Sequence, residues 1–498
     1  MFENRQLTPR LEELRTQIRA YAVDFGLDFF EVIYELVDYD EMNMIASYGG
    51  FPTRYPHWRF GMQFEELQKS YSYGLSKIYE LVINNDPCYA YLMRSNPEVD
   101  QKLVMSHVYG HSDFFKNNYW FSKTNRKMVD EMANHAVRVR RHIDKYGLDE
   151  VEQFIDVCLS LENLVDPHAP YFGEHKTSSE ESREEQRLAA TGTKFRTKPY
   201  MEEFVNPPQV LAAEKEVRLK ELDREERFPA KPQRDVLTFL INHAPLRHWQ
   251  RDVLEIIRDE AYYFAPQGMT KIMNEGWASF WHSKIMTTKA LDSTEIIDYA
   301  DHHSGTMGTR PGVLNPYKVG IELFRDIEER WNTGRFGPEY DACDDYSKRQ
   351  SWDLKLGLGR EKIFEVRKIY NDITFIDEYL TPEFCNQSQL FTYKFDRHAG
   401  NYVIDSREFK SIKEKLLDSL SNMGRPVINV DDGNFKNRGD LHMTHQYQGV
   451  PLKLDYARAT LENIHKIWSR GVHLETEVDG KRKLLSYNGS RHEEKVLG

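Results

Sequence analysis

The chain has 498 residues, 40% of them hydrophobic, which is enough for two or three domains with a large core. Its formal net charge of −12 argues against a general binder of nucleic acid or of anionic membranes. No apolar run approaches the roughly 18 residues needed to span a bilayer, and the charged N-terminus lacks the apolar core of a signal peptide. The four scattered cysteines are typical of reduced thiols. We therefore expect a cytoplasmic protein that neither inserts into membranes nor binds nucleic acid.

The N-terminal part predicts helices and one ordered loop. Residues 8–25 have apolar side chains at helical spacing. Residues 29–37 combine β-branched and aromatic side chains, which fits a short strand or a helix, and we favour the helix. Residues 48–61 are rich in glycine, proline and aromatic residues and predict a loop packed on the core, in which His57 could line a pocket. Residues 62–84 are expected to continue as a helix.

A pair of histidines marks the first candidate site. Asn96 and Pro97 are typical of the start of a helix. His107 and His111 then fall one turn apart on the apolar face of that helix. Two imidazoles in this arrangement can share a metal ion, but they can equally be core histidines that are hydrogen-bonded to their neighbours. Spacing alone does not decide between these alternatives.

A second predicted helix carries an acid and an imidazole on one largely apolar stripe, which contains Glu275, Ser279, His282 and Met286. A buried carboxylate needs a cation or a set of hydrogen bonds, because its desolvation is otherwise costly. If this helix faces the histidine pair, the two helices supply a His-His-Glu site with an open fourth position. Gly276, which costs about 1 kcal/mol inside a helix, predicts that another backbone or a ligand approaches closely beside Glu275.

The remaining helical signals are interrupted once. Helical spacing recurs at residues 126–146, 150–164, 246–265 and 315–331. Residues 176–198 are charged and lack apolar periodicity, which predicts a flexible, protease-sensitive segment. The histidines of the polar break at residues 301–304 could reach the candidate site, although histidines in surface loops are commoner.

Beyond residue 388 the sequence alternates with a period of two, which predicts strands. The predicted strands are QLFTYKF, NYVIDS, RPVINVDD, DLHMTHQY, VHLETEV and RKLLSYN, with helices at residues 409–420 and 456–469.

Several blocks of the sequence resemble one bacterial family. They are PTRYPHWRFG (52–61), LSKIYELVINNDPCYAYL (75–92), HVYGHSDFFKNN (107–118), EAYYFAPQGMTKIMNEGWASFWH (260–282) and NPYKVGIELFRDIEERW (315–331). In this order they identify the chain as a member of the SpoVR family (stage V sporulation protein R). The resemblance implies a role in forming the spore cortex, which is peptidoglycan, or in stress and stationary-phase physiology. It also implies a serine protein kinase and a von Willebrand A-like protein as partners.

Two of these blocks are also similar to the metal-binding helices of gluzincin peptidases. Asn274 to Ala278 resembles the helix that supplies their third zinc ligand, and His107 to His111 resembles their His-Glu-x-x-His helix. The similarity implies that His107, His111 and Glu275 bind a divalent metal, with zinc as the expected ion. Val108 stands where those enzymes carry the general-base glutamate, so the local proton acceptor is missing. The candidates for a base from elsewhere are Glu31, Glu35, His57, Tyr262 and His282.

The predicted fold class is mainly α, with a large helical domain that contains a zincin-like helix pair, followed by a small C-terminal α+β domain. The predicted domains are an N-terminal helical part of the core (1–175), a charged flexible insertion (176–225), a C-terminal helical part of the core (226–387) and the α+β domain (388–498).

Two functions from different classes remain open. The first is a metal-binding protein with hydrolase-like ligands, possessing no zincin general base. The second is a non-catalytic adaptor or scaffold that binds the kinase or another partner, with the helix pair serving as a structural core. A buried metal with an open coordination position favours the first function, and histidines engaged by other side chains favour the second.

Overall fold

The structure is a computed structural model that describes residues 5–72, 80–172, 228–396, 398 and 400–497. The predicted charged insertion at residues 176–225 lies outside the described residues. The chain forms two compact units, each made of two separate stretches: residues 1–148 with 262–424, and residues 149–261 with 425–498. The four domains drawn from the sequence stay a prediction.

The N-terminal stretch combines helices with a small sheet. Its elements are α1 (Pro9–Asp24), β1 (Val32–Val37), α2 (Tyr39–Ser47), α3 (Trp58–Ser72), β2 (Glu80–Ile83), β3 (Cys88–Met93), α4 (Glu98–Asn117), α5 (Met128–Tyr146) and α6 (Leu148–Ser160). Strand β3 lies in the middle of the sheet, parallel to β1 and antiparallel to β2. The helix favoured at residues 29–37 is therefore wrong, and so is the end of the helix expected at 62–84. Both segments are strands because they pair with β3, which is remote from β1 in sequence.

The middle of the chain is almost entirely helical, as its apolar spacing predicts. Its elements are α7 (Val236–His243), α8 (His248–Met269), α9 (Lys271–Ile285), α10 (Ile296–Thr306), α11 (Pro316–Thr333), α12 (Pro338–Asp341), α13 (Tyr346–Gln350), α14 (Gly359–Ile369), α15 (Asp372–Tyr379) and α16 (Pro382–Gln387). A hairpin and a helix follow: β4 (Thr392–Asp396), β5 (Asn401–Ser406) and α17 (Phe409–Leu420). None of the helices in the described part of the chain is both long enough and apolar enough to cross a membrane.

The C-terminal stretch forms a five-stranded sheet in the order β10-β9-β8-β7-β6. Its elements are β6 (Ile428–Phe435), β7 (Asp440–His445), α18 (Leu454–Trp468), β8 (Val472–Val478), β9 (Lys481–Tyr487) and β10 (His492–Val496). Buried and half-buried residues alternate strictly along β8, because α18 packs against β8 and β9. The predicted fold class, mainly α with a small C-terminal α+β part, is confirmed.

Helix α9 packs against both α4 and α11, and glycines allow the close approach. A Cβ added to Gly276 would lie 2.4 Å from Gly320 Cα on α11, and one added to Gly110 on α4 would lie 2.7 Å from Ala278 Cα. Real Cβ atoms do not approach other atoms so closely, so the backbones can meet only where the side chain is a hydrogen. The close approach predicted beside Glu275 is confirmed.

Candidate metal centre

The packing of α4 against α9 brings together three side chains from distant parts of the sequence. Ligand atoms of His107, His111 and Glu275 all lie within 4.8 Å of one another. The Nε2 atoms of both histidines are each 3.6 Å from Glu275 Oε2. Zinc bonds of about 2.0–2.2 Å in tetrahedral geometry place neighbouring ligand atoms roughly 3.3–3.6 Å apart. Each imidazole nitrogen is therefore as far from the carboxylate oxygen as two ligands of a single ion would be.

The other ring nitrogens of the two histidines face polar side chains of α9. His111 Nδ1 lies 2.9 Å from Asn274 Oδ1, and His107 Nδ1 lies 2.7 Å from His282 Nδ1. An amide oxygen only accepts, so the His111 Nδ1–H donates to it and Nε2 keeps its lone pair. If the His107 Nδ1–H likewise donates to His282, both Nε2 atoms present lone pairs toward Glu275. Metal-binding histidines are commonly oriented by such a hydrogen bond on their outer nitrogen.

Burial and charge act in opposite directions on Glu275. Burial raises the pKa of its carboxyl, but His107, His111 and the Tyr317 hydroxyl together bring that pKa below its ordinary value. Glu275 Oε2 is shielded from solvent and makes no hydrogen bond with the described residues, while 18% of the side chain remains accessible. The centre thus has an anionic ligand with one oxygen that lacks a hydrogen bond, together with an opening to solvent.

Burial has the opposite effect on the pKa of His282, because the charged form of an imidazole is its protonated form. Burial lowers the pKa of His282 well below its ordinary value, and His107, His303 and Arg325 lower it further. Its Nε2 lies 3.5 Å from Nδ1 of His303 on α10. One histidine of the predicted polar break thus reaches the centre indirectly, through His282.

Two contacts attach α10 to α4, one at the N-cap of α10 and one in its second half. The Lys102 ammonium lies 2.9 Å from Glu295, and His302 forms an ion pair with Asp100. These contacts fix the position of His303 next to His282.

A buried ion pair and a hydrogen bond connect the two helices that carry the candidate ligands. The Trp277 indole N–H of α9 donates to Asp113 Oδ2 of α4 at 2.7 Å, and Arg367 of α14 lies 3.3 Å from the same oxygen. Burial raises the pKa of Asp113 to about 6, and Arg367 opposes that rise. Because Asp113 and Trp277 each lie two residues from a candidate ligand, this contact fixes the register between the helices.

The structure separates the five candidates for a base. His282 lies in the centre, in contact with His107. The others have different surroundings: Glu31 pairs with Arg19, Glu35 pairs with Arg5, His57 Nδ1 accepts from the Arg59 N–H, and Tyr262 is half-buried on α8. Val108 is fully buried in the apolar core. The catalytic roles of the five candidates for a base stay predictions.

Sequence reasoning did not single out two of the residues around the centre, namely Asn274 and Tyr317. Asn274 had a signal, since it belongs to the motif on which the sequence-based prediction of a gluzincin resemblance rests. The ring centroid of Tyr317 lies 6.3 Å from that of His107, but the helix that carries it is predicted from its apolar spacing alone.

Comparison with known proteins identifies the family of the chain. The family described as SpoVR like protein matches residues 5–425, and the SpoVR-like C-terminal domain matches residues 426–479. A relative from Escherichia coli (strain K12), described as uncharacterized protein YcgB, is 31% identical over 513 residues, which cover 95% of this chain and 93% of the relative. No solved structure matches the chain. The chain therefore belongs to the SpoVR family.

Proposed function

We propose that the protein binds one divalent metal ion, with zinc as the expected ion, through His107, His111 and Glu275. The observation that carries the proposal is the 3.6 Å spacing between Glu275 Oε2 and both Nε2 atoms. Glu275 Oε2 is shielded from solvent and makes no hydrogen bond with the described residues, and a bound cation would give it a partner. The contacts of the outer imidazole nitrogens support the same assignment, because they point the Nε2 lone pairs toward the carboxylate.

We further propose that the centre has hydrolase-like chemistry. A zinc ion held by three protein ligands polarises a substrate oxygen and lowers the pKa of bound water. In this chain Asn274 and His282 orient the two imidazoles, and the partly accessible Glu275 marks the side open to substrate. Val108 provides no proton acceptor beside the ligands, so general peptidase chemistry is not the activity we propose.

Membership of the SpoVR family supports a physiological setting for this centre. In spore-forming bacteria we place the protein in the formation of the spore cortex. In other bacteria we place it in stress or stationary-phase physiology. Both assignments are proposals that follow from the family resemblance.

A different observation favours the second function, an adaptor for a serine protein kinase or a von Willebrand A-like protein. The β4–β5 hairpin exposes aromatic side chains: Phe395 is 53% and Tyr402 51% accessible. Adaptor function predicts that Phe395→Ser weakens co-elution with the purified kinase in size-exclusion chromatography. Val450→Ser, at an exposed apolar position of the second unit, serves as the matched control. If neither the wild type nor the control co-elutes with the kinase, this function is wrong for that partner.

Elemental analysis of the untagged protein tests the metal proposal. We expect about one zinc-class ion per chain in the wild type and little in His111→Ala, which removes a ligand. His398→Ala, at an exposed turn, is the matched control and should retain the metal. A folded wild type that stays metal-free after incubation with zinc would contradict the proposal and favour the adaptor.

A further inference from the structure

A cavity lies in the first unit, and none of the residues that line it belongs to the candidate metal centre. It has a volume of about 450 Å³ and lies between the loop 309–315, the first turns of α11, the segment 388–393 and α17. Small-molecule sites commonly have volumes of about 300–1,000 Å³. The cavity is therefore large enough for a small organic ligand.

The floor of this cavity is apolar. Leu390, Phe391 and Leu416 line it and pack on the main hydrophobic core of the unit, and Ile412 beside them is only 2% accessible. Water in contact with such a surface is readily displaced by an apolar group. The floor thus favours a ligand with a hydrocarbon or aromatic body.

The rim of the cavity carries more positive than negative charge. Arg310, Lys318 and Lys415 line it, against one acidic residue, Glu322. The Lys415 ammonium is already 3.3 Å from Asp405, whereas Arg310 and Lys318 form no ion pair with any residue that the structure describes. Lys318 is also half-buried as a residue. An anionic group at this rim would compensate that charge.

The rim is held in place before any ligand arrives. The Asn315 amide donates to the carbonyl oxygens of Thr306 and Gly308, both at 2.8 Å. Asn315 Oδ1 accepts from the backbone N–H of Lys318 at 3.2 Å. One side chain therefore ties the loop to the turn that carries Lys318. A preorganised site loses less conformational entropy on binding than a mobile one.

From these observations we propose that the cavity binds an amphipathic anion, whose apolar body lies on Leu390, Phe391 and Leu416. Its carboxylate or phosphate group lies at Lys318 and Arg310. A neutral apolar ligand would leave the Lys318 ammonium without a counter-charge, and a small inorganic anion would leave the apolar floor uncovered. This site does not depend on metal at His107, His111 and Glu275.

Isothermal titration calorimetry of the full chain with octanoate, octyl phosphate and 1-octanol tests the proposal. We expect at least one of the two anions to bind about tenfold more tightly than 1-octanol, because only the anions can make a charge-assisted contact with Lys318 or Arg310. Comparing the two anions identifies the preferred head group. Lys318→Gln should weaken binding of the preferred anion about tenfold and leave 1-octanol unchanged. Lys368→Gln, an exposed lysine outside the cavity, is the control and should have no effect.

Three results would overturn the proposal. They are equal affinities for the anions and 1-octanol, no measurable binding of either anion, and binding that Lys318→Gln and Arg310→Gln both leave unchanged while circular dichroism shows that the variants are folded. Arg310 lies on the exposed loop, so its replacement does not disturb the core. Zinc content measured on the same samples separates failure here from failure of the metal proposal.

Discussion

His107 Nδ1 of α4 lies 2.7 Å from His282 Nδ1 of α9, and this contact determines which nitrogen of His107 faces Glu275. A hydrogen bond between two imidazole nitrogens needs one donor and one acceptor. With His107 as the donor, its Nε2 is left as a lone pair for a metal ion. His282 therefore acts as a positioning residue: it orients His107 and is not itself one of the three proposed ligands.

The affinity for zinc should depend on the acceptor at position 282. We expect His282→Leu to weaken zinc binding about 10–100-fold, as is usual when the hydrogen-bond partner of a ligand is lost. His282→Asn should weaken it less, because the amide oxygen can still accept from His107. Competition with a chromophoric chelator measures both affinities. Equal affinities of the leucine and asparagine variants would show that His282 contributes bulk rather than a hydrogen bond.

Stability should depend on the absence of a side chain at Gly276. We expect Gly276→Ala to lower the free energy of unfolding by about 1–3 kcal/mol, because its Cβ would collide with Gly320 and force α9 away from α11. Gly61→Ala is the matched control, since Gly61 lies in α3 with nothing within 4 Å of an added Cβ. It should be neutral or raise stability by up to about 1 kcal/mol through helix propensity. Urea unfolding measures both, and similar effects of the two variants would contradict the close helix contact.

The pH dependence of stability should reveal the ionisation of Asp372, whose side chain caps the N-terminus of α9. Its carboxylate oxygens accept from the backbone N–H groups of Ile272 and Met273 at 2.8 and 2.9 Å. Burial nevertheless raises the pKa of Asp372 to about 7, from 3.8 for the unfolded group. The folded state therefore binds a proton at Asp372 more tightly than the unfolded state does. The stabilisation that this difference provides is lost as the pH rises from about 4 through 7.

The comparison is between wild type and Asp372→Asn, both with chelator present, in urea unfolding between pH 5 and 8. The free energy of unfolding of the wild type should fall relative to that of Asp372→Asn as the pH increases, since asparagine does not titrate. If the difference between the two proteins is constant over this range, Asp372 is ionised throughout in the folded protein.

General peptidase activity should be weak in the wild type, even with zinc supplied. Val108 accepts no proton, and general-base catalysis contributes roughly 10²–10⁴-fold to the rate. We expect no casein hydrolysis above that of the His111→Ala control. Proteolysis by the wild type that a chelator abolishes would show that a distant residue serves as the base.

The variant Val108→Glu extends this test by restoring the carboxylate of the zincin pattern. Val108 is fully buried, so the variant is assayed only after its zinc content and circular dichroism match those of the wild type. Cleavage by this variant alone would identify the base as the missing part. If neither protein cleaves and both hold metal, a non-peptide substrate or the adaptor function becomes the better interpretation.

Local sequence determined much of the secondary structure around the centre. The bounds predicted for α17, residues 409–420, agree with the structure, and α11 begins at Pro316, one residue after the start predicted at 315. Apolar spacing placed His107 and His111 on one face of α4, and the stripe of α9 placed Glu275 and His282 together. These features depend on residues within one or two turns of each other, and a sequence displays that range directly.

Only the tertiary structure decided which elements meet. The local sequence of β1 fits both a helix and a strand. It is a strand because β3 is available to pair with it. Asn274 and His303 acquire a place in the centre only because α9 packs on α4 and α10 is attached beside it. The contact between the helices rests on Gly110 against Ala278, a match between surfaces far apart in the chain. Periodicity shows which face of a helix is buried, whereas the shape of the opposing surface determines what that face meets.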